Sequence, residues 1–145
     1  MRTQPTAPLY PIFISLSGIR CLVVGLGQVG QRKLSGLLAC DPASVLVLDL
    51  AEPGAETAAL LNDSRVCFGR RSCTQADLQG CALVFAATGS AAENSRIAAL
   101  CAEAGILCNS ASNPEEGCFQ VPAIARRTPL AAALSTGGAS PALAR

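Results

Sequence analysis

The chain has no histidine and no tryptophan, and only one tyrosine and four phenylalanines in 145 residues. Without histidine, a metal would have to be held by carboxylates, hydroxyls and thiols, and tetrahedral zinc sites favour closely spaced cysteine pairs. None of the eight cysteines stands in a C-x-x-C pair, so no metal site is expected. Charge is scarce too. Charged residues make up 14% and the net charge is +1, which argues against a nucleic-acid surface, since such surfaces carry a basic excess. No apolar run reaches the roughly 18 to 20 residues that cross a bilayer. The opening MRTQPTAPLYPIF lacks the long apolar stretch and small-residue cleavage site of a signal peptide. The expectation is therefore a cytoplasmic protein with neither nucleic acid nor membrane as partner.

Half the residues are hydrophobic against 3% aromatic, so the core is built from Ala, Leu, Val and Ile. The length suits one domain of ordinary size. Several cysteines sit inside apolar runs: Cys21 in RCLVVG, Cys81 in CALVFAA, Cys108 in GILCN. In a chain with no secretory signal they read as buried reduced thiols rather than a disulfide framework.

Residues 1–8 read as loose. LYPIFISL (9–16) reads as a first strand, closed by a turn at Ser17-Gly18. CLVVG (21–25) is a short continuous apolar strand of the buried parallel kind. Helical spacing follows through Val29, Lys33, Gly36 or Leu37, and Cys40, with Asp41-Pro42 as the stop. VLVLD (45–49), VCFG (66–69), ALVFAAT (82–88) and ILCN (106–109) read as further buried strands. AETAALLN (55–62) reads as a helix with Ala58, Leu60 and Leu61 toward the sheet. Ser90 reads as the N-cap of a helix over 91–104, with Glu93 completing a capping box and Gly105 ending it. Strand and helix alternating in this way predict an α/β fold, a doubly wound parallel sheet of the Rossmann type.

The pattern then changes. FQVPAIA (119–125) and PLAAALS (129–135) read as two strands joined by a turn at Arg126, Arg127 and Thr128. Ser140-Pro141 reads as the start of a helix. The sequence stops five residues later, which leads to the expectation of a natural protein that continues. The division expected is a dinucleotide-binding domain over 1–112 and the start of a second region over 113–145.

GLGQVG (25–30) matches G-x-G-x-x-G with a buried strand before it and a helix after it. In that context Gly25 permits the tight turn, Gly27 lets the backbone approach a pyrophosphate, and Gly30 lets the helix pack on the strand. The N–H groups of Gln28 and Val29, with the helix dipole, would face the phosphates. The plainer alternative is a glycine-rich turn without a ligand. Asp49 ends the second strand 19 positions after Gly30, close to the spacing of the acid that binds the adenosine ribose. A carboxylate there favours NAD and repels the 2′-phosphate of NADP; the alternative is an Asp that merely opens the loop toward Ala51 and Glu52. Ala51 is placed in the same site. Thr88 and Gly89 end the fourth strand, where ligands gather in this topology, or where the strand simply turns.

YPIFISLSGIRCLVVGLGQVGQRKLSGLL, LVFAATGSAAENSRIAALC and GILCNSASNPEEGCFQVPAIARRTPLAAALSTGGASPALAR together resemble the N-terminal domain family of siroheme synthases. These are the precorrin-2 dehydrogenases, some of which are also sirohydrochlorin ferrochelatases. The resemblance runs from about Leu9 to the end, and its most specific part is RTPLAAALSTGGASPALAR. It implies NAD-dependent oxidation of precorrin-2 to sirohydrochlorin, with ferrous iron as a further substrate in some members. It also implies a homodimer built through a helical region after Arg145.

One position departs from the family. Its pattern N-V-x-D-x-P carries an Asp assigned to catalysis, and here NSASNP (109–114) puts Ser112 in that place. A serine is not a carboxylate base. The tetrapyrrole carries eight carboxylates, so positive charge and backbone donors are expected around it. Arg126 with Arg127 supplies the charge, unless the pair is a solvated turn. Ser135, Thr136, Gly137, Gly138 and Ser140 form a run of small donors before a helix N-terminus, an anion nest or a plain connection. Two other readings stay open: a non-enzymatic NAD-sensing or tetrapyrrole-carrying relative, and an NAD-dependent dehydrogenase of a small metabolite.

Overall fold

The computed structural model describes residues 7–136. Among the described residues there are seven strands, β1 (Arg20–Val24), β2 (Ser44–Asp49), β3 (Val66–Arg70), β4 (Cys81–Ala86), β5 (Leu107–Ser110), β6 (Ala123–Arg127) and β7 (Leu130–Leu134), and three α-helices interspersed among the first five. These are α1 (Gln28–Leu38), α2 (Ala58–Leu61) and α3 (Ala91–Ala104). Five strands form one sheet in the order β3-β2-β1-β4-β5, and every pairing in it is parallel. This is the expected doubly wound fold.

Period-two alternation sorts the strand side chains to two faces. Cys21 and Val23 of β1, Val45 and Val47 of β2 and Leu83 and Phe85 of β4 pack with Leu34 and Leu37 of α1. Leu22, Val24, Leu48, Val84 and Ala86 pack on the other face with Ile97, Ala98 and Cys101 of α3. Both faces are covered, which is why the strands read as continuous apolar runs. All eight cysteines are unbridged. Among the described residues, no helix is long and apolar enough to cross a membrane.

The described residues divide into two compact units, Ser15–Phe119 on one hand and 7–14 with 120–136 on the other. In the second, β6 and β7 form an antiparallel hairpin. The helix expected from Ser140-Pro141 lies outside the described residues.

Several local expectations are corrected. Residues 9–16 form no strand. Pro8 and Pro11 bring no N–H to a ladder, and Leu9, Tyr10, Ile12 and Phe13 are exposed. The helix expected over 55–62 is a single 3-10 turn followed by four residues of α2. There Ala58 is exposed, Leu60 and Leu61 pack half-buried against the core as expected, and the fully buried member is Thr57, whose hydroxyl donates to the Gly54 carbonyl at 2.7 Å. The buried stripe of α1 is Gly30, Leu34 and Leu37, so Gly36 is on the solvent side. The capping box at Ser90 is half made. Its hydroxyl accepts from the Glu93 N–H, but the Glu93 carboxylate turns to Arg96. Arg126 and Arg127 belong to β6, and the turn is Thr128-Pro129, because Arg127 pairs with Leu130. β6 begins only at Ala123, one residue after Pro122.

Candidate functional site

The strand order reverses direction between β1 and β4, so the loops after these strands part and leave a crevice at their carboxyl ends. The loop after β1 is pinned from both sides. Gly25 donates to the Leu48 carbonyl at 2.7 Å, and Ala87 donates to the Val24 carbonyl at 2.8 Å. Gly25 has φ +94°, and a Cβ there would strike the Ala87 carbonyl. A Cβ on Gly30 would strike the Gly25 carbonyl, so Gly30 sets how closely α1 rests on the loop. Gly27 is the opposite case. A Cβ there would meet nothing within 4 Å, which leaves a vacant approach beside the loop backbone.

Gly27 is also the N-cap of α1 and offers no side chain to its first turn, which holds no acidic residue. The N–H groups of exposed Gln28 and half-buried Val29 have no acceptor within the helix. This end of an 11-residue helix therefore presents donors and a positive dipole end to the crevice. A pyrophosphate fits that cradle, which a Cβ at position 27 would fill.

Asp49, at the end of β2, faces the same loop. One carboxylate oxygen accepts from the Leu26 N–H at 2.5 Å and the other from the Ala51 N–H at 2.8 Å. Each oxygen keeps a lone pair for a further donor, the arrangement needed for a pair of ribose hydroxyls. A cavity of about 310 Å³ lies here, lined by Leu26, Gly27, Gln28, Asp49 and Ala51 among others. A second of about 540 Å³ adjoins it, lined by Gly25, Asp49, Arg71, Cys73, Thr88 and Gly89 among others. Gly25, Gly27, Gln28, Asp49, Ala51 and Thr88 thus line one continuous region.

Sequence reading missed several of its parts. Arg71 joins the larger cavity and is held by Asp77 through two bonds of 2.6 and 2.7 Å. Burial pushes the Cys73 thiol up to about 11, which removes it as a nucleophile at neutral pH. Asn94 is fully buried. Its Oδ1 accepts from the Thr88 N–H at 3.0 Å and the Thr88 hydroxyl at 2.7 Å. Its Nδ2 donates to the Thr88 carbonyl and to the Ser112 hydroxyl, each at 3.1 Å. The signal for it was present: Asn94, Ile97, Ala98 and Cys101 form the buried stripe of α3, and an amide on such a stripe must be hydrogen-bonded.

Ser112 is exposed in the loop after β5, 3.4 Å from the Ser110 hydroxyl. Arg126 lies exposed in β6, Ser135 is exposed after β7 and Thr136 is half-buried. Gly137, Gly138 and Ser140 lie outside the described residues.

Residues 12–123 match the family NAD_binding_7, described as "Putative NAD(P)-binding". A siroheme synthase of Nitrosococcus oceani is 37% identical over 137 residues, 93% of this chain and 28% of that protein. A siroheme synthase of Methylococcus capsulatus is 37% identical over 135 residues, again 93% of this chain and 28% of that protein. Among solved structures, "SirC, precorrin-2 dehydrogenase" is similar with a TM-score of 0.77 and 28% identity, covering 94% of this chain and 66% of that one. The chain thus spans about 28% of the length of these siroheme synthases.

Proposed function

From the premise that the chain belongs to the NAD_binding_7 family, we propose that it is the dinucleotide-binding part of a precorrin-2 dehydrogenase, oxidising precorrin-2 to sirohydrochlorin. The observation that carries this is the joining of the Gly25–Gly30 cradle to the Asp49 carboxylate, in a chain similar to SirC over 94% of its length. NAD, when bound, supplies the hydride acceptor. The α1 N-terminus neutralises its pyrophosphate, and Asp49 binds the adenosine ribose and disfavours a 2′-phosphate. Thr88 lies in the loop after β4, where it lines the same cavity as Asp49, and Ser112 lies in the loop after β5. Oxidation also releases a proton. With Ser112 at the family's Asp position, this proton leaves to solvent, and the protein contributes orientation and exclusion of water. Arg126, with Ser135, Thr136, Gly137, Gly138 and Ser140, would meet the substrate carboxylates. A homodimer, cytoplasmic location and ferrous iron as a second substrate complete the proposal.

The second reading, an NAD-sensing or tetrapyrrole-carrying protein without turnover, is favoured by the absence of a carboxylate at Ser112. One anaerobic experiment separates the two: the full-length protein with precorrin-2 and NAD, followed by NADH absorbance. NADH appearing together with sirohydrochlorin supports the dehydrogenase. NAD binding without NADH supports the sensor or carrier.

A further inference from the structure

We propose that Asn94 is a positioning residue that fixes which way the Ser112 hydroxyl points its proton. The inference rests on the dehydrogenase reading for its consequence, though not for its geometry. Asn94 uses its whole hydrogen-bonding capacity on two residues, Thr88 and Ser112. It thereby ties the loop after β4 to the loop after β5 from beneath, with no solvent exposure of its own.

The direction of these bonds has a chemical consequence. An amide Nδ2 only donates, so Ser112 must accept from it, and the serine proton is directed elsewhere. Among the described residues, the Ser110 hydroxyl at 3.4 Å is its other partner, at the weak end of the hydrogen-bond range. Ser112 is exposed, so its proton is free to turn from this weak contact to a stronger acceptor arriving from outside the protein. The same Nδ2 suits a carboxylate at position 112, which would accept from it equally well. Asn94 therefore serves either residue, but with serine the group it positions is a hydrogen-bond donor and not a base.

Asn94→Asp tests this. It keeps an acceptor for the Thr88 N–H and hydroxyl, but sets an anion against the Thr88 carbonyl and makes Ser112 the donor, turning its proton inward. Burial raises the pKa of such a carboxyl, and its protonated form can donate as the amide does. α3 packs on β4, β5 and the Pro114–Glu116 turn. The titratable groups on these elements are Cys81, Cys108, Glu115 and Glu116, with Glu93, Arg96, Cys101 and Glu103 on α3 itself. The unmodified protein carries all of them and serves as the control.

The expected result in the full-length protein is a loss of kcat of about threefold to tenfold at pH 8, the cost of misdirected positioning, with the KM for NAD changed less than about twofold. The loss should recover as the pH falls, a limb absent from the parent. In a Ser112→Ala background, Asn94→Asp should show a much smaller effect on kcat. A pH-independent loss that tracks a lower melting temperature, unchanged by Ser112→Ala, would overturn the proposal in favour of a purely structural role. If the parent makes no NADH, the dehydrogenase reading fails, and the positioning is read by NMR. Ser112→Ala must then shift the Asn94 side-chain amide resonances and speed their exchange, and unmoved resonances overturn it.

Discussion

The backbone N–H of Leu26 donates to the carboxylate of Asp49, 23 residues further along the chain. This bond closes the glycine loop onto the end of β2, and it places an acid beside the α1 N-terminus with lone pairs to spare. Asp49→Ala should therefore weaken NAD binding by roughly tenfold to a hundredfold, the span of a lost hydrogen bond to a charged group. It should also narrow the preference for NAD over NADP. Calorimetric titration with both dinucleotides measures this, and an unchanged preference would remove Asp49 from the ribose site.

Gly27 and Gly30 should part company when replaced by alanine. At Gly27 the new methyl meets no protein atom, so the melting temperature should stay within about 3 °C. NAD affinity should nonetheless fall roughly tenfold or more, because the methyl occupies the pyrophosphate approach. At Gly30 the methyl runs into the Gly25 carbonyl, so stability should drop by about 1–3 kcal/mol. Thermal unfolding with and without NAD distinguishes the two.

Ser112→Asp restores a carboxylate where Asn94 already offers a donor. Turnover of the full-length protein should rise by less than about tenfold, because orientation and NAD carry most of the reaction. A rise approaching the roughly hundredfold or more typical of general-base catalysis would mean that the natural site is crippled.

Asp77 gives an acid-stability prediction. The Arg71 guanidinium, and then the Thr74 backbone and hydroxyl, hold its carboxyl well below the ordinary value of 3.8. The folded state thus binds this proton more weakly than the unfolded chain. Its stabilisation is complete above that ordinary value and is lost as the pH falls below it. Asp77→Asn should be less stable than the parent in urea at pH 7, and the gap should close progressively below about pH 4. A gap constant to pH 2 would show that packing, rather than charge, is what the substitution removes.

Much of this protein is decided locally, and its sequence alone determined that part. Five apolar runs of strand length had to be covered on both faces, so helices had to alternate with them. G-x-G-x-x-G between strand and helix marks a tight turn under a closely packed helix, since Gly25 and Gly30 each answer a short-range contact while Gly27 leaves open space. The Gly105 C-cap, in the left-handed region at φ +69°, is equally local. Tertiary structure decided what depends on partners far along the chain. An apolar run at 9–16 forms no strand, because Pro11 within it and Pro8 just before it bring no N–H to a ladder. Arg126 and Arg127 extend β6 because the register with β7 places the turn beyond them. Asp49 is oriented by Leu26, and Ser112 by Asn94. Neither pairing could be read from spacing, because a hydrogen bond across 18 or 23 residues exists only once the sheet has brought its loops together.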